Sequence, residues 1–431
     1  MNRNILRLAV PNIISNLSVP LLGAVDTALI GNLDQVWYLG ALAIGSVIFN
    51  FIFWGFGFLR MGTTGLTAQG YGKEEAKEVF LILVRVQLIA LGIGLLILLF
   101  HKPIFSLSLL LIDSSEEVAR YTQTYYDIRI FTAPAVLALY GLNGWFLGMQ
   151  NAKYPMIITI VMNLLNIILN VLFIYGFGMT VEGVAWGTLI STWLALFLAL
   201  LLFMKKYRET VTRWKFEELM RKEELKKYFI VNRDIFIRTL CLIFTFSFFT
   251  VASSAQGDLV LAANTILLQF WFIASYGIDG FAFAAESLVG RFKGSADQQK
   301  MKQAVLLTLG WGLVLGLAGT LIYALLGNRI LQLFTGNEEV LLLAGSVLIW
   351  TILSPLVSSI SYVLDGVYIG ATATRTMRNT MILSTVMIFL PVYYLTTPLL
   401  GPAGLWLAMI LFMISRGAAL AFYLPKQVFT P

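Results

Sequence analysis

The sequence predicts an all-α integral membrane protein, with twelve transmembrane helices in two six-helix lobes related as a pseudo-two-fold parallel repeat. Three observations predict it. Of the 431 residues, 58% are hydrophobic and only 12% are charged, about half the charge of a typical soluble domain. The apolar residues come in long blocks, and a spanning helix needs about 20 of them. Segments from the two halves of the chain also overlay at a constant offset of 222 residues.

So little charge cannot cover a soluble globule. Soluble enzymes, nucleic-acid binders and disordered proteins are therefore excluded, despite a net charge of +7. One cysteine, Cys241, excludes a disulfide framework and a Cys-based metal site. One histidine, His101, excludes the usual His clusters. No metal is expected.

Twelve stretches meet the length criterion: 5–31, 37–68, 78–101, 121–148, 154–177, 183–204, 230–255, 259–290, 303–327, 340–370, 379–399 and 402–424. Several exceed the minimum, which implies tilt or extension beyond the bilayer. The first is too long for a signal peptide.

Lys and Arg in the loops set the orientation. With the N-terminus inside, 22 of the 30 basic residues fall in cytoplasmic segments and only Lys102, Arg120 and Arg329 fall outside. Both termini are therefore expected to be cytoplasmic. The basic balance reports topology and calls for no nucleic acid.

Residues 205–229 form the one long polar linker, between a first lobe (1–204) and a second (230–431). ALAIGSVIFNFIFWGFGFLRMGTTGLTAQGYG from Ala41 overlays ANTILLQFWFIASYGIDGFAFAAESLVGRFKG from Ala263, so Gly55 meets Gly277 and Gly72 meets Gly294. NGWFLG from Asn143 overlays DGVYIG from Asp365 at the same offset, pairing Gly144 with Gly366 and Gly148 with Gly370. Six spans per half is an even number, so both halves enter the membrane in the same sense. Transporters built on such repeats bind substrate between the halves, near midplane.

VPLLGAVDTALIGNL, FGFLRMGTTGLTAQGYG, IRTLCL, LAANTILLQF, DGFAFAAESLVG and LDGVYIGATATRTMRN resemble the DinF-like branch of the MATE (multidrug and toxic compound extrusion) transporters along nearly the whole chain. The resemblance implies a two-lobed bundle and alternating access. It implies antiport of cationic or amphiphilic drugs and toxic compounds, driven by inward H⁺ or, less in keeping with this branch, Na⁺. It also implies a monomer in the plasma (inner) membrane, among its lipids, without a cofactor.

A charge at the bilayer centre costs at least about 2.5–3.5 kcal/mol, so each needs a reason. Five acids are read within the spans: Asp26, Asp127, Asp279, Glu286 and Asp365. Asp127 could pair near the interface with Arg120. Asp26 lies in the outer half of the first span, and no base on that helix is within reach. Pro11 and Pro20 precede it, each removing a backbone donor and bending the helix. A carboxyl drawn out of water favours its neutral form, so it can take a proton on one side and release it on the other. The resemblance matches the Pro11-to-Asp26 spacing and assigns this Asp an ion-linked role.

Asn163, Asn166 and Asn170 share one face of the fifth span. The family often reads Asn-x-x-x-Asp there; Asn166 and Asn170 hold those positions here, so the second acid is missing. That departure weakens a Na⁺ site in the first lobe and favours protons. Thr188 matches a polar position of the family's sixth span. The alternative for this stripe is interhelical hydrogen bonding.

The second lobe holds Arg238, Asp279, Glu286, Asp365 and Arg416. These are read either as structural ion pairs or as a second proton or cation site, with Asp365 its first candidate. Arg60 is expected to anchor the cytoplasmic end of the second span. Aromatic residues crowd that span, and the chain carries 14 methionines, surfaces that suit loosely specified amphiphilic ligands.

A second reading is a lipid or oligosaccharide-lipid flippase, since related two-lobed transporters move such headgroups. Balanced intramembrane charge argues against an anionic cargo. A Gly-rich phosphate loop ending in Gly-Lys-Ser/Thr is absent. An intramembrane enzyme would need a nucleophile–base pair or paired metal ligands, and the sequence offers neither.

Overall fold

The computed structural model of the chain describes residues 1–33, 35–111 and 114–430. Among the described residues, twelve helices are long and apolar enough to cross a membrane. In order they are Asn2–Gly31, Val36–Gly72, Ala76–Leu99, Glu116–Gly148, Lys153–Gly176, Val181–Thr210, Phe216–Ser254, Asp258–Gly294, Gln298–Phe334, Glu338–Gly370, Thr374–Leu400 and Pro402–Gln427. Each predicted stretch falls on one of them. The described residues contain no strand. Helices satisfy every backbone polar group within the segment, which lipid requires.

Several spans are irregular where the sequence suggests one plain helix. The second is two helices, Val36–Gly55 and Phe58–Gly72. They join through tight bonds from the Phe56 amide to the Phe53 carbonyl (3.0 Å) and from Gly57 to Trp54 (3.1 Å). The fourth passes through a 3₁₀ turn, Ile130–Thr132, just before Pro134, which has no N–H to continue the ladder. A π-turn, Ser384–Phe389, precedes Pro391 in the eleventh for the same reason. The first span runs as one unbroken helix through Pro11 and Pro20. A helix the sequence reading lacks, His101–Leu111, follows the third span.

The chain packs as two compact units. One comprises Ile14–Thr63 and Glu75–Leu225; the other comprises Met1–Ile13, Thr64–Glu74 and Lys226–Pro431. Two segments from the first half of the sequence thus pack with the second half. Small residues on 64–74 allow this: a Cβ on Gly65 would lie 2.4 Å from the Ile369 carbonyl oxygen. Gln69 adds hydrogen bonds from Nε2 to the Gly370 carbonyl (2.9 Å) and the Thr372 hydroxyl (3.0 Å).

The repeat is visible in packing. In the first unit a Cβ on Gly144 would meet the Arg60 carbonyl oxygen at 2.3 Å; in the second, one on Gly366 would meet the Ala282 carbonyl oxygen at 2.1 Å. Both members of one pair stand 222 residues from those of the other. Residues at the same offset also touch one another within the second unit. A Cβ on Gly290 would lie 2.6 Å from that of Ala68. Around them, Gly72 abuts the Arg291 carbonyl as Gly294 abuts the Gln69 carbonyl. Such reciprocal contacts, residue to equivalent residue, are the signature of a two-fold axis.

The polar linker is not loose. Arg85, on the third span and 3% exposed, donates to the backbone carbonyls of Leu219 (3.0 Å) and Glu218 (2.9 Å) and pairs with Glu78. A buried charge persists only when so paired. The core of the second unit is tied by Trp406, whose indole N–H donates to Asn264 Oδ1 (2.8 Å), while Asn264 Nδ2 donates to the Ser253 hydroxyl (2.8 Å).

Candidate functional site

The first, fifth and sixth spans bring the expected residues of the first unit together. Asn170 Nδ2 donates to Asp26 Oδ1 at 2.7 Å and to Asn166 Oδ1 at 3.0 Å. Asn166 Nδ2 in turn donates to the Thr188 hydroxyl at 3.0 Å and reaches that of Ser191 at 3.5 Å. Thr188 donates to the Val184 carbonyl within its own helix (2.9 Å). The helical period thus places Asn166 and Asn170 one turn apart, and their amides form a ladder from Asp26 to the sixth span. Asn163 shares the face but bonds elsewhere: its Nδ2 donates to the Ser18 hydroxyl (2.9 Å), two turns before Asp26 on the first span.

The ladder is closely enclosed. Asn163, Asn166 and Asn170 are buried and Asp26 is half-buried. Gly187 is what lets the sixth span approach, since a Cβ there would fall 1.9 Å from Asn170 Oδ1. Among the described residues, no hydrogen-bond donor reaches that buried oxygen. A carboxylate bonded to one amide, with the remaining ladder neutral, can bind and release one proton. It offers a metal ion a single anionic ligand.

Sequence reasoning missed two neighbours of Asp26, both on the fourth span. Arg129 lies near enough for its charge to act on Asp26, and the Tyr125 hydroxyl also feels that carboxylate. Arg129 donates to the Tyr125 hydroxyl. Asp26 lacks a base only along its own helix; another helix supplies one. The spacing Tyr125-to-Arg129, one helical turn, was the available signal. Asp127 is exposed, and Arg120 donates to Tyr121 (3.1 Å) rather than to it.

In the second unit Asp365 Oδ2 accepts from Arg238 and from Arg416, the latter at 2.6 Å. All three are at least nine-tenths buried and join the seventh, tenth and twelfth spans. The three groups alone carry one excess positive charge. Asp279, half-buried, acts electrostatically on Tyr362, as do Arg416 and Asp365. Glu286 is buried nearby in sequence on the eighth span. The sequence reading also overlooked Asp234, inside its seventh stretch. Asp234 is fully buried and pairs with Arg378 (2.7 Å) and Arg233 (2.9 Å), two bases read as topology markers only. The Asp234–Arg378 pair links the seventh and eleventh spans.

Two six-helix repeats spanning a membrane, each holding ionisable groups in its interior, have the architecture of a membrane transporter. The MatE family model matches residues 11–172 and 235–395, and the chain belongs to the MATE (multidrug and toxic compound extrusion) family. It is similar to DNA damage-inducible protein F of Escherichia coli K12, with 37% identity over 96% of this chain and 90% of that protein. Multidrug resistance protein NorM of Vibrio cholerae is 25% identical over 98% of this chain and 96% of its own. Among solved structures, the Vibrio cholerae MATE transporter VcmN in its bent form matches with a TM-score of 0.88, at 20% identity, over 99% of this chain and 96% of that one. A MOP superfamily transporter from Pyrococcus furiosus also gives 0.88, at 21% identity, over 99% and 95%. These two likenesses concern the fold. MATE transporters need no cofactor and are coupled to H⁺ or Na⁺ gradients.

Proposed function

We propose that this protein is a secondary antiporter that exports cationic or amphiphilic small molecules by alternating access, driven by inward H⁺. It sits as a monomer in the plasma (inner) membrane with both termini cytoplasmic, and its lobes are 1–204 and 230–431. The observation that carries the choice of ion is the ladder at Asp26. Its other members, Asn163, Asn166, Asn170 and Thr188, are neutral, so this site has one carboxylate to titrate and no second one beside it to hold Na⁺. Pro11 and Pro20 soften the first span, so that a change of charge at Asp26 alters its path. One charge crossing 100 mV contributes about 2.3 kcal/mol before any pH gradient is added. The charged cluster of the second lobe, Arg238, Asp279, Glu286, Asp365 and Arg416, is structural in this reading.

The test is efflux of ethidium from proteoliposomes under an imposed H⁺ or Na⁺ gradient. Efflux that follows the H⁺ gradient and is lost in Asp26→Asn supports the proposal. Efflux that follows neither gradient, or that persists at full rate in Asp26→Asn, overturns it. Translocation of a labelled lipid-linked oligosaccharide in the same vesicles would favour the flippase reading instead.

A further inference from the structure

We propose that Phe49, Tyr125 and Asp26 border a subsite for one organic cation, and that the Arg129 guanidinium fills it as a tethered stand-in. Arg129 thereby sets how weakly this chain holds cationic cargo. The cargo's class rests on the antiporter reading; the subsite itself rests on geometry.

The Arg129 guanidinium carbon lies 4.6 Å from the Phe49 ring centroid and 5.3 Å from that of Tyr125. A hydrogen bond to the Tyr125 hydroxyl fixes its direction. Both rings are held from behind. Phe49 stacks on Phe53 (5.8 Å) and on Tyr126 (5.4 Å), and meets Tyr125 edge-on (6.1 Å). Phe49 and Tyr125 are buried, whereas Arg129 is half-buried, so the guanidinium is the outermost layer over the rings.

Asp26 completes the set from the first span. Its charge and that of Arg129 act on each other, and Tyr125 feels both. Among the described residues, Asn170 also faces Asp26 and Ser46 faces Tyr125. Asp127 is two residues from Arg129 on the same helix and does not face it.

Aromatic faces with a carboxylate at their margin attract cations through the ring quadrupole and the counter-charge. Apart from Arg129, the charge described at their margin is the Asp26 carboxylate, which repels anions. A guanidinium is planar and weakly hydrated, closer to an organic drug cation than an ammonium is. Its seat over Phe49 therefore has the shape and charge that such cargo needs. With the side chain in place, cargo must displace it or bind beside a like charge.

The test is binding of tetraphenylphosphonium to the purified full-length protein in nanodiscs, measured without any gradient. Arg129→Met, which keeps length and removes charge, is expected to bind about 3- to 30-fold tighter, the range that cation–π contacts span. Arg129→Lys, which keeps the charge but loses the planar fork, gains less than Arg129→Met, and adding Phe49→Leu to Arg129→Met abolishes the gain. Tyr125→Phe keeps the ring but releases the guanidinium, and it gives a smaller gain should Arg129→Met fail to fold. Unchanged affinity in both Arg129→Met and Tyr125→Phe overturns the proposal. Ethidium efflux by the wild type is read separately. If it follows no gradient while Arg129→Met still binds tighter, the antiporter reading falls and the subsite stands.

Discussion

Gly187 and Asn170 are packed so closely that a Cβ on the glycine would fall 1.9 Å from the asparagine's Oδ1. The same amide holds Asp26, so the sixth span keeps the carboxylate's partner in place. Gly187→Ala must push Asn170 aside, at an overpacking cost of about 1–3 kcal/mol. If efflux is coupled at Asp26 as proposed, it is expected to fall about tenfold or more, because small displacements at a reacting group are costly. Adding Asn170→Ala makes room again. The double variant should recover thermal stability without recovering coupled transport, and recovery of both would sink the assignment.

Asn170 holds the position at which the family resemblance leads one to expect an acid, and it lies 2.7 Å from Asp26. Asn170→Asp sets two carboxylates side by side, which then share a proton or hold a cation between them. On the proton-driven proposal, efflux in this variant is expected to gain a dependence on external Na⁺ relative to the wild type. Vesicles with a Na⁺ gradient and no pH gradient measure it. Indifference to Na⁺ in the variant would mean that the missing acid does not decide the coupling ion.

The twelve spans were legible because lipid imposes one pattern on every one of them. The asparagine stripe was legible because helical spacing alone puts Asn166 and Asn170 on one face. What the sequence hid lies across helices. Arg129 reaches Asp26 from a different span, and Asp234 is buried although its partners, Arg233 and Arg378, sit in basic runs that mark topology. The break at Phe56–Gly57 was hidden for another reason: no proline announces it, only a local tightening of backbone bonds. Reciprocal contacts such as Gly72 on Arg291 and Gly294 on Gln69 follow from the 222 offset only once an axis is placed.

Asp365 accepts from two buried guanidiniums, and the prediction here concerns which loss hurts more. Asp365→Asn leaves Arg238 and Arg416 without their shared counter-charge and should cost about 3–5 kcal/mol. Arg416→Met leaves Arg238 and Asp365 as a neutral pair, so it should be the milder change. Thermal unfolding of the two variants in the same detergent gives the order. The reverse order would mean that Asp279 and Glu286 already neutralise the guanidiniums, and that Asp365 is the group under tension.

Gly72 and Gly294 occupy equivalent places, each against the carbonyl of the other's neighbour. Replacing either with alanine drives a Cβ into backbone, which cannot turn away as a side chain can. Both variants should lose about 1–3 kcal/mol of stability, and by two-fold symmetry the two losses should agree within about 0.5 kcal/mol, the scatter seen between independent sites. A tolerant Gly72 beside an intolerant Gly294 would show that the axis does not govern this crossing.

Arg85 fastens the linker by charge-assisted hydrogen bonds to the carbonyls of Glu218 and Leu219. Lys77 also pairs with the Glu218 side chain, but that contact is exposed, and exposed pairs contribute little. The two anchors can therefore be told apart. In Arg85→Met the carbonyls lose a donor worth about 1.5–3 kcal/mol, so the short helix Phe216–Leu219 opens more often. Trypsin reads that opening directly, because Arg213, Lys215, Arg221 and Lys222 flank it. Cleavage in this segment is expected to quicken about tenfold or more in Arg85→Met, since protease attack follows the population of the open form. Lys77→Gln should change it by less than about threefold. Equal acceleration by both variants would place the anchor at the exposed pair and leave buried Arg85 to the packing of its own span.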